Sequence, residues 1–158
     1  MKGWKLTDAM GQTHGQTQWG PGVTHRATGN GVAFCSPDLI HFYSDPLVAL
    51  LHNPMHGNYS NPQLWAVSAE APVYNDRGLK LGAKVVTTLC LESVPFLSPE
   101  TKIRYAILCA KEGATLPSWK IWAENWLSGA DRSAATARAA ASAADAATTA
   151  RAAAADAA

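Results

Sequence analysis

Seven residues in the first half of the chain bring aromatic, imidazole or cationic groups into one stretch: Trp19, His25, Arg26, His41, Tyr43, His52 and His56. A flat ring can stack on a planar ligand, while guanidinium and imidazole groups hold a phosphate by charge and hydrogen bonding. Trp19 and Tyr43 are the stacking candidates. His25, Arg26 and His41 are candidate contacts to polar or phosphate groups, with Lys80 or Lys84 as further charge. The same residues have an ordinary use: Trp19 and Tyr43 in a core, the histidines on the surface or hydrogen-bonded.

Other chemistries fail on spacing. His52 and His56 have the separation of a helical metal pair, but Pro54 between them predicts a broken helix and no metal site. Cys35-Ser36-Pro37 lacks the glycines of a nucleophile elbow, and Cys35 reads as a core residue after a strand. Gly20-Pro21-Gly22 and Gly29-Asn30-Gly31 read as turns, since neither lies between a strand and a helix as a phosphate loop does. Asp38, Asp45, Glu70 and Asp76 are too scattered to pair as acid and base. The expectation is no complete catalytic set, no metal and no cofactor.

Composition divides the 158 residues near Gly129. All Trp, Pro, Cys, His and Phe precede that glycine, and mostly alanine follows it. Alanine favours helix but buries little surface, so the tail predicts a long helix that needs a neighbour. Asp131, Arg138, Ser142, Asp145, Thr149 and Asp156 form a polar stripe on it; Ala139, Ala143, Ala146, Ala150, Ala153 and Ala157 form a small-residue seam. Before the tail, strands are predicted over residues 3–7, 31–35, 64–69, 73–74 and 83–91, with 39–43 either extended or a single helical turn. Asp45-Pro46 predicts a short buried helix over residues 46–52, stopped at Asn53-Pro54. Ser98-Pro99 opens a second helix closed by Gly113, and a third runs from near Ser118 to Gly129 with Trp119, Trp122 and Trp126 on its core face, the face expected to dock onto the sheet.

The fold class expected is α+β: a small mixed or antiparallel sheet domain with a short buried helix (residues 1–96), a helical hairpin packed on it (97–129) and the Ala-rich helical tail (130–158). The net charge of +1, with acids and bases interspersed, gives no footprint for a nucleic acid. The tail's recurring Arg and Asp argue against a membrane span. Cys35, Cys90 and Cys109 are odd in number and widely spaced, and no apolar run follows Met1-Lys2-Gly3-Trp4. Buried, reduced cysteines and a cytoplasmic location are the expectation.

Several segments together resemble an uncharacterised phage and prophage family. They are Gly22-Val23-Thr24-His25, residues 31–35, His41-Phe42-Tyr43, Asp45-Pro46-Leu47 and Leu64-Trp65-Ala66-Val67, with residues 102–110 and 126–133 resembling its helical part. That resemblance implies a small α+β N-terminal domain and an alanine-rich helical end. A second, slighter likeness is to the ADP-ribosyltransferase fold, in which His25 and Tyr43 would stand for that family's His and Tyr and Glu70 for its acid. The resulting expectation is a phage-type protein of the host-cell cytoplasm that binds a small nucleotide-like ligand without converting it, sequestering a host immune signal. Its rivals are a structural protein that forms homo-oligomers through the tail, and an ADP-ribosyltransferase-like enzyme.

Overall fold

The computed structural model describes the backbone of residues 1–156 and the side chains of residues 1–146. The chain forms two compact units, Met1–Leu97 and Ser98–Ala158. The fold is α+β, with antiparallel sheets in the first unit and helices in the second.

The first unit is built on β1 (Lys2–Thr7), β2 (Gln12–Thr13), β3 (Thr17–Gln18), β4 (Thr24–Arg26), β5 (Ile40–Phe42), helix α1 (Pro46–His56), β6 (Gln63–Ala69), β7 (Val73–Asp76), β8 (Lys80–Ala83) and β9 (Val85–Glu92). A four-stranded sheet has the order β1-β6-β9-β4, a three-stranded sheet the order β5-β8-β7, and β2-β3 is a separate ribbon. Trp4 and Tyr43 join the two larger sheets by reciprocal backbone hydrogen bonds of 2.9 and 2.7 Å. Gly3 is required at this junction. A Cβ there would stand 2.6 Å from the Phe42 ring and from the Tyr43 carbonyl oxygen. Trp19, Phe42, Trp65, Val67, Leu81 and Val86 fill the main core, and Leu6, Tyr43, Ala49 and Leu64 a second cluster.

Four expectations are corrected. Residues 31–35 are an exposed loop rather than a buried strand. The Asp38 carboxylate accepts from the Gly31 and Ala33 amides at 3.0 and 3.1 Å, satisfying backbone groups that a strand ladder would have used. The strand expected over 83–91 forms as β9 from Val85 onward, but Ala83 belongs to β8, because the chain changes sheets at Lys84.

Helix α1 runs through Pro54 to His56 instead of stopping at Asn53. Its start follows the expected grammar, with the Asp45 carboxylate accepting from Leu47 N–H at 2.7 Å and Pro46 in the first turn. Pro54 forfeits one hydrogen bond, but the Asn53 side chain clamps the helix end. It donates to Tyr59 O at 2.9 Å and accepts from Tyr59 N–H at 3.1 Å. Finally, Cys35, Cys90 and Cys109 are exposed rather than buried, on the loop, on the outer half of β9 and on a helix surface.

The second unit comprises α2 (Pro99–Gly113), α3 (Pro117–Ser128) and α4 (Ala134–Asp156). Ser98 caps α2, its hydroxyl accepting from Thr101 N–H at 3.1 Å, and Gly129 ends α3 at a φ of 85°, a conformation that favours glycine. Ile107, Ala123 and Trp126 are buried together, with Trp119, Trp122 and Leu127 against them. Ala140 of α4 is buried, while Ala139 and Ala143 line a groove with Ile121 and Trp122 of α3. Small side chains thus let the alanine helix lie close to a tryptophan-bearing one. Thr149 and Asp156 of the expected stripe, and Ala150, Ala153 and Ala157 of the expected seam, lie outside the described side chains.

Candidate functional site

Strand periodicity places Gly3, Lys5 and Thr7 on one face of β1. Gly3 meets Phe42, and the Thr7 hydroxyl accepts from the Trp65 indole at 3.2 Å, so this face looks into the core. Lys5 stands between them and is only 8% exposed. Its ammonium donates to the His41 carbonyl at 2.8 Å and lies 4.5 Å from the centroid of the Trp19 ring. No ion pair to it occurs among the described residues. Burial pushes the Lys5 pKa down to about 8, because a charge taken from water without a counter-ion is costly.

The His41 ring is the next piece. Burial first, then the charges of Lys80 and Lys5, push its pKa down to about 4, so it is neutral near pH 7. Its Nε2 accepts from the Cys35 amide at 3.3 Å, and its ring stacks on Phe34. Cys35 itself sits at a φ of 58°, an uncommon conformation for a residue with a side chain. Its Sγ accepts from the Lys80 ammonium at 2.8 Å. Lys5 and Lys80 therefore flank His41, one at its carbonyl and the other beyond its ring.

Helix α1 supplies further lining through Asn53, Met55 and His56. Because it continues past Pro54, His52 and His56 share one face, with ring centroids 5.1 Å apart and planes 10° apart. Tyr43 stacks beside both, and its hydroxyl is 2.8 Å from His56 Nδ1. Burial and the nearby Lys80 and His52 charges lower the His56 pKa. The histidine pair that proline was expected to spoil does form. No group of three or more His, Cys, Asp or Glu able to hold a metal occurs among the described residues.

These walls enclose an open cleft of about 850 Å³, within the range of small-molecule sites. Six of the seven binding residues picked from sequence line it: Trp19, His25, Arg26, His41, Tyr43 and Lys80. Lys84 does not. Its ammonium donates to the carbonyls of Gly29 and Asp38 at 3.0 and 2.9 Å and also to that of Gly31, fixing the loop that carries Cys35. Glu70 is likewise absent from the lining and lies exposed beyond the end of β6.

The roles expected of the aromatics change. Trp19 and Tyr43 are only 3% and 8% exposed. Lys5 covers a face of Trp19, whose indole donates to Thr13 at 2.9 Å, and the α1 histidines cover Tyr43. Ring surface open to a ligand belongs instead to His56 and Tyr59, with His25 at the other wall. His25 is set edge-on to Trp19 at 4.5 Å and its Nε2 donates to Gln18 O at 2.7 Å. Sequence reading missed Lys5, His14 and Tyr59. The position of Lys5 on the inward face of an otherwise buried strand was the available signal.

The lining contains the cations Lys5, Arg26 and Lys80 and four histidines, and among the described residues no Asp or Glu. Arg26 is exposed, with no side-chain hydrogen bond or ion pair among the described residues. In a chain with a net charge of only +1, this is a local concentration of positive charge. No known protein family, curated protein or solved structure matches the chain. Among the described residues, no helix is long and apolar enough to cross a membrane.

Proposed function

We propose that the cleft of the first unit binds a small anionic molecule bearing a planar group, of nucleotide type, and holds it rather than converting it. The observation that carries this reading is the lining: Lys5, Arg26 and Lys80 with four imidazoles and no carboxylate. A buried ammonium with no counter-ion is favoured by an incoming anion, which supplies the missing charge in a low-dielectric site. Arg26 offers its full fork of donors to a phosphoryl group, and His56 and Tyr59 offer ring surface to a base. The biological form proposed for such binding is sequestration of a host nucleotide signal by a phage-type protein. The transferase alternative has less support, because the lining includes no acid and Glu70 stands outside it.

Calorimetry against cyclic nucleotides, ADP and ADP-ribose tests this. At about 0.1 mM protein, at least one of them gives saturable heat with micromolar affinity. No heat with any of them contradicts the reading.

A further inference from the structure

Three lysines stand near the cleft, and their nitrogens are committed to different degrees. Lys84 donates to three backbone carbonyls. Lys80 is bound to the Cys35 sulfur at 2.8 Å. Lys5 has one carbonyl acceptor and one aromatic face, both uncharged, and it lines the cleft. An amine so placed, out of water and without a carboxylate to hold its proton, is a nucleophile toward a carbonyl.

We infer that Lys5 is a carbonyl-capturing amine, and that the cleft takes anionic ligands carrying an aldehyde or ketone by forming an imine at its Nζ. This rests on the proposed anion-binding role of the same cleft, with Arg26 and Lys80 holding the anionic end while the carbonyl reaches Lys5. The lone pair of Nζ attacks the carbonyl carbon. The C=O π pair moves to oxygen, which takes up the proton released by nitrogen, giving a carbinolamine. The nitrogen then forms the C=N bond as its remaining N–H proton passes to the departing hydroxyl, which leaves as water; no oxidant or reductant is consumed. Tyr43 and His56, hydrogen-bonded to each other at 2.8 Å in the same cleft, are a pair able to hold the proton in transit. The lowered basicity of Lys5 leaves about a tenth of it as free amine at pH 7. An ordinary exposed lysine has less than about a thousandth.

Pyridoxal 5′-phosphate, a small phosphorylated aldehyde, is the probe. The full chain is incubated with it, reduced with borohydride to fix any imine, and mapped by peptide mass spectrometry. Label on Lys5 exceeding that on the exposed Lys2 and Lys102 by about tenfold or more supports the inference. Pyridoxal without the phosphate labels Lys5 about tenfold less. Lys5→Arg keeps the charge and gives no label in the cleft; if that variant does not fold, the wild-type map alone decides. Label spread evenly over exposed lysines, or an unlabelled Lys5, overturns it. ADP calorimetry on the same preparation separates the two claims. Heat with ADP but no Lys5 label removes imine formation and leaves anion binding. Label without ADP heat removes the nucleotide reading and leaves imine formation.

Discussion

Each unit sets a cation over a tryptophan, and the two arrangements differ in how the charge is answered. In the helical unit, the Arg132 guanidinium lies 4.8 Å from the centroid of the Trp126 ring. It also donates to Trp126 O at 3.0 Å and pairs with Glu100 at 2.9 Å, its side chain 39% exposed. In the sheet unit, Lys5 lies 4.5 Å from the centroid of the Trp19 ring, buried, with a neutral carbonyl as its hydrogen-bond acceptor. The first cation is satisfied within the fold and ties α2, α3 and the start of α4 together. The second is held at a cleft wall where, among the described residues, no carboxylate answers it. A cation over a ring is therefore not by itself a sign of function; what distinguishes the two is whether the fold supplies the opposing charge and whether water can reach it.

Removing the unanswered charge is expected to have the largest effect. Lys5→Met is expected to weaken nucleotide binding by about a hundredfold, the loss of about 3 kcal/mol that a desolvated charge contact supplies. It is also expected to raise stability to urea at pH 7 by about 1–2 kcal/mol. The lowered pKa of Lys5 corresponds to about 3 kcal/mol of cost when charged, offset in part by its hydrogen bond to His41. That cost is fully present below about pH 8, where Lys5 is charged in the folded protein, and falls away as pH rises from 8 toward the ordinary lysine value of 10.5. The advantage of Lys5→Met over the wild type therefore shrinks across that window. A variant that binds as well as the wild type, or is destabilised at pH 7, would show that Lys5 is a structural cation like Arg132.

Arg26→Ala comes next. Arg26 is exposed and supports no other group, so the substitution is expected to cost about tenfold in affinity while leaving stability within about 0.5 kcal/mol. A tenfold loss accompanied by unfolding would make Arg26 structural instead. Glu100→Gln is the smallest change and the mirror of the first. Removing the exposed partner of Arg132 is expected to lower stability by less than about 1 kcal/mol and leave nucleotide affinity unchanged.

Much of the cleft was legible in the sequence because its aromatic and imidazole residues are close in the chain, and β4, β5 and α1 bring them to one cavity. Asp45-Pro46 and Ser98-Pro99 marked their helices correctly because capping is a local interaction. Non-local interactions were not legible. Whether Lys80 or Lys84 reached the cleft depended on a change of sheet between β8 and β9, which places one at the Cys35 thiol and the other under its loop. Residues 31–35 looked apolar enough for a strand, but Asp38, further along the chain, claims their amides. The continuation of α1 through Pro54 depended on Asn53 gripping Tyr59 six residues on. Lys5 was overlooked because a lysine is ordinarily a surface residue, and only its register in β1 reveals that it points inward.

The charge of Lys5 is reported by its own titration. With the protein labelled at lysine, NMR follows the Lys5 side chain against pH, assigned by its loss in Lys5→Arg. In the free protein it is expected to titrate at about 8, and on saturation with ADP to move toward 10.5, because the phosphate favours the ammonium. A Lys5 that titrates near 10.5 without ligand, or that keeps its midpoint when ADP saturates the protein, is not an unanswered charge that binds the anion.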